Sequence, residues 1–279
     1  MKIAVMSDIH GNYIALQRCL AHALEQNVDA YIFLGDYLGE FPYPQRTLEI
    51  LYELKQNASC IFIRGNKEDY WLNRRKDQNC DWKSGNRSVM AMIYNYNSLN
   101  AKDLDFFETL PISQSIRFAG MEPVLACHGT PFENQKALLS EELFVQKCEE
   151  RYIICGHTHM QGFVSDGKKR IINAGAVGVP LKSPKKTQYM ILTSDGKDWK
   201  PEFLSLEYDV DTVIKEIHES GLWDASPYWC RITEHLLDTG ELPHGTVLNH
   251  VMKLNDYQDP WYNIAESYWE KALDELGIR

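Results

Sequence analysis

Ile3-Ala4-Val5-Met6-Ser7-Asp8-Ile9-His10-Gly11-Asn12 is the stretch on which the fold of this chain turns. An apolar β-type run ends in a carboxylate and an imidazole two residues apart. From Asn12 to Gln26, Ala15, Leu16, Cys19, Leu20, Ala23 and Leu24 then fall on one face at helical spacing, which completes a first β-α unit. Four further apolar runs end in the same way. Tyr31-Ile32-Phe33-Leu34 leads to Gly35-Asp36, and Ile61-Phe62-Ile63 to Gly65-Asn66. Val124-Leu125-Ala126 leads to His128-Gly129, and Tyr152-Ile153-Ile154 to Gly156-His157-Thr158-His159, with Asn173-Ala174-Gly175 beyond. Short apolar runs closed by Gly or polar residues read as buried strands, and open α/β sheets bind ligands at the carboxyl ends of their strands. One crevice is therefore expected to collect these side chains.

The collected set is two Asp, one Asn and four His: Asp8, His10, Asp36, Asn66, His128, His157 and His159. It mixes hard oxygen donors with imidazole nitrogens and contains no thiolate, which suits Mn, Fe or Zn better than Mg or Ca alone.

Composition narrows the alternatives. A chain of 279 residues with 44% hydrophobic side chains can bury a full core as one or two domains. A formal charge of −10 opposes a long groove for DNA or RNA, where affinity comes mainly from Lys and Arg on phosphates. A small anionic substrate stays compatible, with metals supplying positive charge. No signal peptide is apparent before the first strand, and no apolar stretch approaches the roughly 20 residues that span a bilayer. The expected location is the cytoplasm, with no membrane partner. Seven Cys with no C-x-x-C pair read as reduced thiols, and Cys127 and Cys155, at the ends of buried strands, read as core.

Along the chain, a second helix is expected from Pro44 to Gln56, with Pro in its first turn, and a strand over Ser59 to Ile63. Between Asn66 and Gln114 comes a helical excursion beside the site, including Ser88 to Tyr96 and Ala101 to Thr109. From Gln114 to Ser205 the runs are strand-like, with turns at Ser165-Asp166-Gly167 and Thr193-Ser194-Asp195-Gly196, and a second sheet is expected there. After Leu206 the period becomes helical in Asp209 to Ser220, Ser226 to Thr239 and Tyr262 to Leu276.

These blocks, in this order, resemble the calcineurin-like metallophosphoesterases, most closely the small bacterial and archaeal phosphodiesterase branch that opens with a strand and D-x-H-G-N. The resemblance covers about residues 1 to 205 and implies an α/β (α+β) fold, a four-layer α-β-β-α sandwich. The expected organisation is a metallophosphoesterase domain over 1–205 with a helical cap insertion at about 67–112, and a helical C-terminal extension over 206–279. Carried over by position, the family pattern implies Asp8, His10 and His159 on one metal, Asn66, His128 and His157 on the other, and Asp36 as the bridge. Asp36, Asn66, Lys67 and His128 then stand in the catalytic set. The implied chemistry is two-metal hydrolysis, with ions roughly 3.5–4 Å apart and a metal-activated hydroxide attacking phosphorus in line.

One position departs from the family. Many members place His directly after the Asn of Gly-Asn, whereas here Lys67 follows, then Glu68 and Asp69. An ammonium with a reference pKa near ~10.4 is a poor acid for an alkoxide, so good leaving groups are favoured: phosphoanhydrides, nucleotides and aryl diesters. Lys67 either holds a phosphate oxygen as a point charge or simply faces solvent.

Outside the blocks, His22, His218, His235, His244 and His250 read as surface or packing residues. Arg64 reads as an ion pair beneath the site, and Asn12, Thr130 and Asn173 as groups orienting ligands. The tail holds Trp223, Trp229, Trp261 and Trp269, which fit nucleobase stacking on one reading and helix packing or a homo-oligomer interface on the other. Arg74-Arg75-Lys76 and Lys182 to Lys186 either flank an anion or form a solvated face. The expected activity is hydrolysis of phosphodiester or phosphoanhydride bonds in a nucleotide-like small molecule, diadenosine polyphosphate among them. The alternatives are a phosphoprotein serine/threonine phosphatase and a non-catalytic protein-binding scaffold.

Overall fold

Strand β1 (Lys2–Met6) organises the first sheet of the computed structural model, which describes residues 1–77, 82, 87–138 and 143–279, the side chains of 143 and 144 excepted. β1 pairs in parallel with β2 (Ala30–Phe33) through Ile3 opposite Ala30, and β2 in parallel with β3 (Cys60–Phe62). The crossovers are α1 (Tyr13–Glu25), capped by the Asn12 side chain on the Ala15 amide, and α2 (Pro44–Asn57), with Pro44 in its first turn. Both helices lie within one residue of their expected bounds.

After β3 the chain enters α3 (Asn66–Lys76), α4 (Met90–Asn97) and α5 (Ala101–Thr109), matching the expected helical excursion. Part of the 67–112 insertion, with Cys80, lies outside the described residues. The second sheet is built from β4 (Ser113–Ile116), β5 (Val124–Cys127), β6 (Tyr152–Cys155), β7 (Gly162–Ser165) and β8 (Arg170–Asn173), in the order β4-β5-β6-β8-β7. A short helix, α6 (Leu143–Lys147), joins β5 to β6.

The strand-like region does not all enter that sheet. β9 (Lys186–Ser194) and β10 (Trp199–Glu207) form the expected hairpin, with Ser194 opposite Trp199, but β9 adds antiparallel to the free edge of β1. The second sheet therefore ends at Asn173. With this addition the first sheet runs β10-β9-β1-β2-β3.

Alternation along the strands sorts residues between two faces. Ile3, Val5, Ile32 and Leu34 meet Val124, Ala126, Ile154 and Ile172 between the sheets, all nearly or fully buried. Ala4, Met6 and Phe33 face α1 to α5, and Leu125, Cys127, Ile153 and Cys155 lie under α6. Helix, sheet, sheet and helix thus stack in four layers. Cys127 and Cys155 are core thiols, as expected.

The tail is helical: α7 (Val210–Glu219), α8 (Leu222–Ala225), α9 (Pro227–Thr239), α10 (His244–Leu254) and α11 (Glu266–Glu275), with a 3-10 turn at Trp261–Asn263. α10 was not read from the sequence. Trp269 and Leu273 are fully buried with Val247 and Val251, locking α9, α10 and α11 together. α7 to α9 pack on Phe41 and on Ala91 of α4. Among the described residues no helix is long and apolar enough to cross a membrane.

Candidate metal centre

The seven candidate ligands all emerge from strand ends. Asp8 and His10 follow β1, Asp36 follows β2, Asn66 opens α3 after β3, His128 follows β5, and His157 and His159 follow β6. Backbone bonds lace these loops together: Asp8 N–H donates to Gly35 O (3.1 Å), His10 N–H to Asp36 O (2.9 Å) and Gly156 N–H to His128 O (2.8 Å). Five of the seven candidate ligands are left-handed: Asp8 (φ 54°), His10 (56°), Asp36 (53°), His157 (66°) and His159 (58°). Such positions cost about 1–3 kcal/mol each and persist where surrounding structure over-determines them. Their clustering turns each loop sharply enough to aim its side chain inward. Two glycines allow the loops to touch: a Cβ on Gly65 would sit 2.3 Å from the Asp36 amide nitrogen, and one on Gly156 would sit 1.9 Å from Ser7 Oγ.

The donor atoms converge in two groups. Asp8 Oδ1 lies 3.7 Å from His10 Nε2 and 3.2 Å from His159 Nε2, and those nitrogens are 3.3 Å apart. Asn66 Oδ1 lies 3.1 Å from His128 Nε2 and 3.0 Å from His157 Nδ1. Asp36 spans the two, with Oδ1 3.5 Å from His128 Nε2 and Oδ2 3.8 Å from His10 Nε2. Asp8 Oδ1 also approaches His128 Nε2, at 3.9 Å.

Does this arrangement fit metal ions? Asp8 Oδ1 is sealed from solvent, accepts no hydrogen bond, and is ringed by three imidazole nitrogens. An acceptor without a donor, inside a ring of further donor atoms, is what a cation site requires. The electrostatics agree. Burial disfavours a charged His10, yet Glu40, Asp8 and Asp36 raise it to about 10; His128 is likewise raised to about 9 by Asp36 and Asp8 against its burial. The carboxylates demand positive charge, and protons meet that demand where cations would. Burial and the nearby His128 instead push His157 down.

Outer partners fix the ring orientations. His128 Nδ1 is 2.7 Å from Leu34 O, which leaves its Nε2 free to ligate. His10 Nδ1 contacts Glu40 Oε2, and Glu40 Oε1 binds Lys67 Nζ at 2.7 Å. Burial works to raise the Glu40 carboxyl, but His10 and Lys67 hold it well below the carboxylate range. The Glu40 loop is pinned from α4, where Asn95 Nδ2 donates to Gly39 O at 2.8 Å. Glu68, fully buried, accepts from the amides of Asp36 (2.9 Å), Tyr37 (2.9 Å) and Gly65 (2.8 Å), tying two ligand loops to α3. Burial and Asp36 raise Glu68 to about 7.

Sequence reading missed Glu40 and did not single out Glu68. A ligating His needs a partner for its second nitrogen, so an acidic residue four positions after Asp36 was the available signal. Lys67 is not a solvent-facing lysine: its side chain is 13% exposed and held by Glu40. Of the three residues read as orienting groups, Asn173 ties the loop that carries His157 and His159, donating to Gly156 O (2.6 Å) and Thr158 Oγ1 (3.0 Å). Asn12 caps α1 and Thr130 closes its own turn on Glu133. Arg64 pairs with Asp69, as expected.

Within the basic clusters, Arg75 pairs with Asp105 and Glu108, and Lys185 with Asp238. Beside the donors opens a cavity of about 290 Å³ lined by His10, Asp36, Asn66, Lys67, His157 and His159 together with tail residues Trp229, His244 and Trp261. His244, read from sequence as a surface or packing residue, therefore stands at the site. The tail tryptophans divide, with Trp269 in the core, Trp223 on His218 (centroids 4.0 Å apart), and Trp229 and Trp261 on the cavity wall.

Comparison with known proteins agrees with this fold. The uncharacterized protein MJ0912 of Methanocaldococcus jannaschii is 27% identical over 247 residues, covering 81% of this chain and 94% of that one. The crystal structure of hypothetical protein PH1004 from Pyrococcus horikoshii superposes with TM-score 0.70 at 18% identity, covering 86% of this chain and 98% of that one. A metallophosphoesterase from Sphaerobacter thermophilus superposes with TM-score 0.66 at 22% identity, covering 86% and 100%. The family model of the calcineurin-like phosphoesterase superfamily domain matches residues 1–197, spanning every candidate ligand. The chain belongs to that superfamily of metal-dependent enzymes and is a phosphoric ester hydrolase.

Proposed function

We propose that this chain is a cytoplasmic, dinuclear-metal-dependent hydrolase of phosphodiester or phosphoanhydride bonds in a nucleotide-like small molecule. The observation that carries the reading is Asp36, whose two carboxylate oxygens face different halves of one donor cluster, each completed by a pair of imidazoles. Asp8, His10 and His159 would hold one ion, and Asn66, His128 and His157 the other. Bound there, transition metals such as Mn, Fe or Zn would polarise a phosphate and lower the pKa of a water.

The chain's own groups do the rest. Glu40 and Leu34 O hold His10 and His128 with Nε2 inward. Lys67 brings an ammonium to the cavity wall, and although burial disfavours its charge, Glu40 and Asp36 raise it. A charge held so firmly stabilises a phosphate oxygen and is a poor proton donor to an alkoxide. The tail and α3 wall the cavity, and about 290 Å³ suits a small phosphorylated molecule better than a protein surface loop or a long nucleic acid. The complete donor set argues against a scaffold.

Two results are expected. Metal-stripped protein should be inactive and regain turnover with added Mn, cleaving an aryl phosphodiester or diadenosine tetraphosphate in preference to a phosphopeptide; turnover without metal, or a phosphopeptide preference, would overturn the reading. Lys67→Ala should slow aryl diesters with good and poor leaving groups by the same factor, about tenfold, as for one lost charged contact. Loss confined to poor leaving groups would instead make Lys67 the acid.

A further inference from the structure

His244 sits at the start of α10 and is 8% exposed, on the wall of the cavity that holds the candidate ligands. Its Nε2 lies 2.9 Å from Thr233 Oγ1, which is itself 2.9 Å from the Trp229 carbonyl. A hydroxyl has one proton to give. Both contacts are hydrogen bonds only if Thr233 donates to Trp229 O and accepts from His244 Nε2–H. The opposite tautomer would forfeit one of them and leave a proton on Nδ1, which has no partner among the described residues. Nδ1 is therefore a lone-pair acceptor on a ring that lines the cavity. Burial, with Lys67, His10 and His159 and against the pull of Glu40, presses His244 down to about 4, so the ring is neutral near pH 7.

Around this acceptor the wall is aromatic. The Trp229 ring packs against the imidazole with centroids 4.8 Å apart, and Trp261 and Tyr70 line the same cavity. A flat aromatic wall carrying a fixed acceptor selects a ring system that carries a hydrogen-bond donor. Next to a phosphate-binding centre, the chemical class with that combination is a nucleoside phosphate, its ring apolar on both faces and its edge or sugar carrying N–H or O–H.

We propose that His244 Nδ1 accepts a hydrogen bond from an amino or hydroxyl group of the substrate's nucleoside part, whose ring lies against Trp229 and Trp261. His244 is then a specificity-determining residue supplied by the C-terminal helices, and Thr233 is the positioning residue that sets its tautomer. The inference rests on the nucleotide-like reading above and deepens it.

The test is calorimetric binding of adenosine 5′-monophosphate and of inorganic phosphate to the Mn-loaded full chain, run beside hydrolysis of an aryl phosphodiester without a nucleoside. The wild type should bind the nucleotide more tightly than phosphate. His244→Leu and Thr233→Val should each reduce that ratio, by about fivefold to tenfold as for one hydrogen bond. His244→Asn, whose Oδ1 can replace Nδ1, should recover part of it, a rescue that a packing role would not produce. A wild-type ratio near one, or ratios unmoved in folded variants, would overturn the subsite while aryl diester hydrolysis left the hydrolase reading standing. A His244-dependent ratio without aryl diester hydrolysis would uphold the subsite and overturn the phosphodiester reading. If His244→Leu fails to fold, Thr233→Val and His244→Asn decide.

Discussion

Asp36→Asn should cost about 10³-fold or more in Mn-dependent turnover, beyond the roughly 10–100-fold cost of disturbing an outer partner of a ligand. The reason lies in how Asp36 is held. Its Oδ1 accepts the Lys67 amide at 2.8 Å while facing His128, and its Oδ2 faces His10. In the variant the amide oxygen would keep the Lys67 bond, leaving the NH2 group aimed at the His10 half. A hydrogen-bond donor would then stand where a cation needs an anionic ligand. Without metal the variant should be somewhat less stable, since the substitution gives up the attraction of His128 and His10, which outweighs the burial of this carboxylate and its repulsion by Asp8. A melting experiment separates the two effects. Saturating Mn should raise the wild-type midpoint, a ligand at 100 times its Kd contributing about 2.7 kcal/mol, and should raise the variant's far less. Wild-type turnover in Asp36→Asn would refute the bridging role.

Glu40→Gln should follow as the next largest effect, weakening metal retention by about 10–100-fold. Glu40 is 3% exposed and serves two cations at once, His10 through Oε2 and Lys67 through Oε1. Gln can still accept from His10 Nδ1–H, but it no longer raises the basicity of the ring or neutralises Lys67. The loss should appear as faster removal of Mn by a chelator and a higher Mn concentration for half-maximal activity. Retention equal to wild type would show that Glu40 does not tune His10. Fold stability should fall by less than the roughly 3–5 kcal/mol of a broken buried pair, because His10 can shed its proton and Lys67 can reach water through the cavity.

Much of this protein is written locally. An apolar run closed by Gly and a polar side chain specifies a strand end without reference to the rest of the chain, and five such ends carry the seven donors. Helical periodicity placed α1, α2 and α5 within a residue or so, because the stripe that packs on a sheet must recur at the helix period. The hairpin at Ser194 to Trp199 was likewise legible from its turn residues.

What the sequence by itself determined is therefore the five strands that end in donors, the donor types at those ends and the family they belong to. Only the tertiary structure decided that β9 joins β1 rather than the second sheet, since an apolar strand fits either edge and its partner lies more than 180 residues away. It also decided that Glu40 binds His10 and Lys67, that Glu68 ties Asp36 to Gly65, and that His244 stands beside the donors from α10. A carboxylate or imidazole has no periodicity of its own. Its role depends on which groups share its burial, and that follows from packing between elements distant in the chain.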